Sequence, residues 1–120
     1  MLVTGSGQSS LISRLDTDFP GAFAPDMRVT ALQTRRGKPA PDPYLAGLML
    51  AGVEPWQAMV IENAPLGVES GAAAGIVTAG ITTGPIPQSA LAEAGATLTF
   101  PSMPEFADCL PRLLSAYADD

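Results

Sequence analysis

Short apolar runs rich in β-branched residues alternate along the chain with longer stretches whose apolar residues recur at helical spacing. Strands and helices in that alternation build βαβ units around a parallel sheet, so the pattern predicts an α/β fold with a mostly parallel sheet. Leu2 and Val3 end in Thr4-Gly5-Ser6-Gly7, after which Leu11, Ile12 and Leu15 mark a helix. Beyond a loop holding Pro20, Gly21 and Pro25, a second short strand is expected from Val29 to Leu32, followed by a polar turn from Gln33 to Gly37.

In Lys38-Pro39-Ala40-Pro41-Asp42-Pro43, Asp42 suits the N-cap and Pro43 the first helical position, where its missing N–H costs nothing. Leu45, Leu48 and Met49 give that helix its expected buried stripe before Gly52. Ala58 to Ile61 is a continuous apolar run bounded by turn residues, as in a strand covered on both faces, and it ends at Glu62-Asn63. Pro65 opens a helix whose Gly71, Ala72, Ala73 and Ala74 allow close approach to the sheet, and Gly75 stops it. A strand from Ile76 to Ile81, a helix from Gln88 to Ala94 and an edge strand from Thr97 to Phe100 follow. Ser102 and Glu105 have capping-box spacing for a final helix, which Pro111 is expected to kink or divide.

Composition narrows the class. The 120 residues read as a single domain over 1–120, and 47% hydrophobic with 15% charged residues fits a soluble protein with a buried core. Twelve acidic against six basic residues leave a charge of −6 and no basic patch, which speaks against a nucleic-acid partner. No stretch has the length and apolarity of a membrane span, and Cys109 is the single cysteine, so no membrane association is expected and a cytoplasmic location is. Cys109 and Trp56 read as packing residues.

In parallel α/β sheets ligands gather beyond the carboxyl ends of the strands, where this chain places Thr4, the turn with Lys38, and Glu62-Asn63. Thr4, Gly5 and Ser6 offer hydroxyls and helix-start amides to an anion, although the same residues also make an ordinary capped turn. Lys38 on a proline-stiffened loop offers a compact positive charge to phosphate, or is a solvated surface lysine. Glu62 straight after a buried strand is costly unless it meets a cation, a metal or a helix start. With Asn63 it suits magnesium; alternatively Asn63 caps the helix at Pro65. Arg35 and Arg36 lie in the solvated turn nearby.

These segments resemble, in order and spacing, a known family. Leu2-Val3-Thr4-Gly5-Ser6-Gly7 is similar to the second motif of haloacid-dehalogenase-like (HAD) hydrolases, Gly37-Lys38-Pro39-Ala40-Pro41-Asp42-Pro43-Tyr44 to the third, and Val60 through Gly71 to the fourth. Their order and spacing resemble the β-phosphoglucomutase-like branch over most of the chain. The resemblance implies a Rossmann-like three-layer sandwich and phosphoryl transfer on a small phosphorylated metabolite, by a phosphatase or phosphomutase. Thr4 and Lys38 would then be catalytic, Thr4, Gly5, Ser6 and Lys38 would hold phosphate, and Glu62 with Asn63 would bind Mg²⁺. Asn63 departs from the acidic pair frequent in the family, which removes a charged ligand.

The family's first motif, an Asp-x-Asp that carries the nucleophile, and its cap domain have no counterpart here, since Asp16-Thr17-Asp18 follows a helical segment rather than a buried strand. The expectation is a HAD core incomplete at its N-terminus, inactive alone. It would self-associate or be completed by a missing N-terminal half whose strand belongs between those ending at Thr4 and Glu62. A non-catalytic remnant that binds phosphate or a partner is the alternative. A flavodoxin-like domain shares the layer pattern but leaves Lys38 and Glu62-Asn63 without a role.

Overall fold

The computed structural model describes residues 1–118. Its elements are β1 (Leu2–Val3), α1 (Ser9–Asp18), β2 (Arg28–Val29), α2 (Asp42–Ala51), β3 (Met59–Glu62), α3 (Pro65–Ala73), β4 (Val77–Ile81), α4 (Gln88–Ala94), β5 (Leu98–Phe100) and α5 (Met103–Ala118). Short 3-10 turns lie at Pro25–Met27, Ala31–Gln33 and Pro55–Gln57. All strand pairs are parallel, but they form two sheets, β1-β2 and β3-β4-β5.

The larger sheet is covered on both faces. A Cβ at Gly71 of α3 would lie 2.5 Å from Thr78 Oγ1 and 3.1 Å from Val60 Cγ1, and one at Gly80 would lie 3.1 Å from Leu91 of α4. Side chains alternate across a strand, so α3 and α4 cover the face of Val60, Thr78 and Gly80. Ala79 and Ile81 point the other way and pack with Phe106 of α5, beside Met59 and Phe100. Helices on both faces of a parallel sheet make the expected α/β sandwich. Tyr44 and Leu48 of α2 join Val60, Ala74 and Ile76 in a second buried cluster.

The sheet differs from the sequence reading in one respect. β3 is an edge strand paired only with β4, and its Ile61 is 44% exposed. The strand buried on both faces is β4.

Several local readings change for physical reasons. The expected strand to Leu32 ends at Val29: Thr30 Oγ1 accepts from Leu32 N–H and Gln33 Oε1 from Thr30 N–H, winding the chain into a 3-10 turn with Leu32 outside. Such side-chain bonds compete with a strand for the backbone. Pro41, not Asp42, occupies the cap position of α2, and Asp42 in the first turn pairs with Arg36 at 3.0 Å. Pro43, Tyr44, Gly47 and Leu48 are buried in α2, whereas Leu45 and Met49 face outward. Ala64 rather than Asn63 precedes α3 as its cap. Trp56 is exposed in its 3-10 turn, on the rim of an apolar cleft with Phe106, Leu110 and Leu114. Cys109 is half-buried on α5, which runs through Pro111 as one helix. Ser102 Oγ accepts from Glu105 N–H at its start.

Candidate functional site

The bare edges of β1 and β3 face a cleft of about 660 Å³. Its apolar wall includes Leu2, Val3, Leu48, Met59, Val60 and Ile76, and its polar residues include Thr4, Lys38, Glu62 and Asn63. Thr4 follows β1 and Glu62 ends β3, so both stand at the carboxyl ends of their strands. Lys38 arrives from the loop before α2.

Lys38 Nζ forms an ion pair with Glu62 Oε1 and donates to Val3 O at 3.4 Å. The side chains are 19% and 10% exposed, respectively, which leaves the pair reachable while thinning the water that would screen it. Tyr44 donates its hydroxyl to the same Oε1, and its ring lies 5.1 Å from Lys38 Nζ. Burial first, then the Glu62 carboxylate, pushes the Tyr44 phenol well above its ordinary value, so it stays a neutral donor.

Backbone packing holds these groups. A Cβ at Gly67 would fall 2.1 Å from Glu62 Cδ, so the carboxylate lies directly against the first turn of α3 where only glycine leaves room. Ser70, fully buried on α3, donates to Ala40 O at 2.7 Å and ties the Lys38 loop to that helix. The Lys38–Pro39 peptide bond is cis.

The turn after β1 is partly self-satisfied. Ser6 N–H donates to Thr4 Oγ1 and Gln8 N–H to Ser6 Oγ, both at 3.1 Å. A Cβ at Gly5 would meet nothing within 4 Å. The Thr4 hydroxyl thus accepts within the turn and keeps its own proton to donate outward. Asn63 is exposed beside Glu62. Asp16 pairs with Arg28, and Asp18 lies 3.7 Å from Arg14, both away from the cleft.

Lys38, Glu62, Thr4 and Asn63 are therefore brought to one cleft, as the strand-end argument anticipates. Tyr44, Gly67 and Ser70 were not anticipated as site residues. Tyr44 lies within the Lys38 segment, but nothing in its spacing assigns it a role. Among the described residues no group of three His, Cys, Asp or Glu side chains could enclose a metal ion. A single carboxylate with an adjacent carboxamide fits magnesium shared with phosphate oxygens and water rather than one caged by protein.

The structure is an α/β fold of parallel strands between helices, with a lysine, a carboxylate and a threonine gathered at one cleft. No protein-family model matches the chain. It is 47% identical over 64 residues to hexitol phosphatase A of Escherichia coli, a match covering 53% of this chain and 30% of the relative. A solved Bacteroides vulgatus structure described as a β-phosphoglucomutase superposes with a TM-score of 0.89 at 47% identity, over 97% of this chain and 47% of that one. A HAD family hydrolase from Deinococcus radiodurans, solved with bound phosphate and sodium, matches with a TM-score of 0.59 at 32% identity, over 64% of this chain and 35% of that one. In sequence over about half of this chain, and in structure over nearly all of it, the likeness is to the haloacid-dehalogenase-like superfamily and its β-phosphoglucomutase-like branch. The chain spans less than half the length of each of these relatives. No helix among the described residues is long and apolar enough to cross a membrane.

Proposed function

We propose that this chain supplies the phosphate- and metal-binding side of a magnesium-dependent phosphatase or phosphomutase that acts on a small phosphorylated metabolite. The observation that carries this is the meeting of Lys38 and Glu62 at the mouth of a cleft that also holds Thr4 and Asn63. Phosphoryl transfer is governed chiefly by positioning and charge stabilisation, and these residues offer both. The Thr4 hydroxyl and the Gly5 amide would orient the phosphoryl oxygens, and Lys38 would balance their charge. Glu62, with Asn63, would hold Mg²⁺, which when bound neutralises charge on the phosphate oxygens.

A non-catalytic phosphate- or partner-binding role remains the second reading, favoured by one observation. Glu62 is the one carboxylate lining the cleft among the described residues, and Lys38 and Tyr44 already engage it. Two measurements separate the readings. Titration with inorganic phosphate should show binding that Lys38→Met weakens by about tenfold or more, the cost of a lost charge-assisted contact. The 120-residue chain should not turn over p-nitrophenyl phosphate, because covalent transfer needs a free nucleophile. Mg²⁺-dependent turnover that Glu62→Ala abolishes would require another nucleophile in this chain, and phosphate binding indifferent to Lys38 would discard the site itself.

A further inference from the structure

Glu62 is held asymmetrically. Both side-chain donors, Lys38 Nζ and Tyr44 OH, take Oε1, while Oε2 receives no hydrogen bond among the described residues and lies, like Oε1, against Gly67. The two donors differ in kind. Lys38 carries a charge that an incoming phosphate competes for, whereas Tyr44 is neutral and 8% exposed, fixed in the first turn of α2 with its ring beneath the ammonium. Gly67 closes the side of the carboxylate against α3. A carboxylate with one oxygen tied and the other open can direct the open oxygen at a cation without searching rotamers.

We propose that Tyr44 is the positioning residue of this site: its hydroxyl anchors Oε1 of Glu62 so that Oε2 is presented to a divalent cation, and it keeps doing so when Lys38 turns to an anion. This rests on the reading of Glu62 as a cation ligand. A neutral anchor has a specific advantage here. It orients the carboxylate without cancelling the negative charge that attracts the cation, which a second lysine at this position would do.

The test is calorimetric titration of the full chain with Mg²⁺ in the presence of inorganic phosphate, for the wild type, Tyr44→Phe, Glu62→Gln and Leu91→Val. Tyr44→Phe keeps the ring and removes only the anchor, and should weaken Mg²⁺ binding by about 10- to 100-fold, as loss of an outer-shell partner does. Leu91→Val disturbs the core beside α4, away from the cleft, and should lower the melting temperature with no change in Mg²⁺ affinity. Tyr44→Phe binding within twofold of wild type, or losing no more than Leu91→Val loses, would overturn the positioning role. Thermal melts of Tyr44→Phe, Glu62→Ala and the double variant, in which no acceptor for the Tyr44 hydroxyl remains, give a readout that needs no metal. Effects that do not add show the anchor, and strictly additive effects refute it. If the melts couple but wild type and Glu62→Gln take up Mg²⁺ alike, the cation reading of Glu62 fails while the tether stands, so the two failures are distinguishable.

Discussion

β4 and β1 are both short parallel strands ending near the same cleft, but they are held very differently. β4 pairs along both edges, and Thr78 through Ile81 are all buried between helices. β1 pairs along one edge only, through two residues, and neither is buried. The contrast extends to their surroundings. Among residues 1–40 only Val29 is buried, whereas most of the stretch from Gly67 to Ile81 is. Hydrophobic burial scales with area removed from water, so stability must reside in the β3-β4-β5 sheet and its helices. The candidate site lies on the seam: Glu62 and its supports, Gly67 and Tyr44, belong to the firm side, and Thr4 to the loose one. Lys38 bonds to both, through Glu62 and Val3 O.

The largest effect should come from filling the seam. β1 and β3 present unpaired edges across an apolar cleft, and each backbone group that an added strand pairs there contributes about 0.5–1.5 kcal/mol. A version extended at the N-terminus by an apolar strand able to pair with both edges should bring the loose side up to the standard of the firm one. Pairing two such groups should raise the melting temperature by roughly 10 °C and sharpen the transition. Light scattering during the melt should show the 120-residue chain associating and the extended form monomeric. Equal, monodisperse melts would mean that the seam closes by itself and that the contrast between the sheets carries no energetic weight.

Within the firm side, two glycines on one helix separate fold from site. At Gly71 an added Cβ would meet Thr78 Oγ1 at 2.5 Å and Val60 at 3.1 Å, both fixed in the sheet. Gly71→Ala should therefore push α3 off the strands and cost about 1–3 kcal/mol in urea unfolding, the usual penalty of overpacking a tight contact. At Gly67 the atoms in the way belong to the end of the Glu62 side chain, which can swing aside. Gly67→Ala should cost less than about 1 kcal/mol in the same experiment, because the clash is relieved by a rotamer change. It should nonetheless break the Lys38–Glu62 pair. Its signature is lost Mg²⁺ and phosphate binding on a nearly unchanged fold, and equal destabilisation by the two substitutions would deny the division of labour along α3.

The same contrast decides what could be read from the sequence. Where local and tertiary preferences agree, the reading holds to the residue: α4 runs from Gln88 to Ala94 as expected, and α3 ends where Gly75 takes a positive φ of 77°. Lys38 and Glu62 were legible because a charge at the end of an apolar strand demands a partner, and each is the other's partner. Tyr44 was not. α2 is apolar nearly all round, with Leu45, Ala46, Leu48, Met49 and Leu50 in a row broken only by Gly47, so periodicity could not choose its inner face. That choice was made by β1 and the turn between α3 and β4: a Cβ at Gly47 would lie 3.4 Å from Val3 Cγ2, and Tyr44 and Leu48 pack with Ala74 and Ile76. Leu32 leaves its expected strand, and Trp56 its expected packing role, for a local reason, because Gln33 and Gln57 side chains close tight turns that leave the apolar neighbour outside.

The smallest effect belongs to α1, and its smallness is informative. The sequence assigns α1 an apolar stripe of Leu11, Ile12 and Leu15, and the helix forms over Ser9–Asp18 with no buried residue. Leu11 is 43% exposed, and Ile12 and Leu15 are half-buried. The helix carries no side-chain cap at Gln8, and ten residues are too few for a helix to be stable without packing. Its ties to the rest include Arg28, which donates to Asp16 and to Phe23 O, and exposed or half-exposed ion pairs contribute little. Leu11→Ala should therefore change stability by no more than about 0.5 kcal/mol, the range of ordinary surface substitutions. In native-state hydrogen exchange, α1 amides should open far below the global unfolding free energy and β4 amides only with it. Adding the pairing strand should raise protection in β1 more than in β4, since only β1 lacks its second partner. If α1 exchanged as slowly as β4, or if Leu11→Ala cost as much as Gly71→Ala, the N-terminal region would be as firmly held as the three-stranded sheet, and the seam would have to be sought elsewhere in the chain.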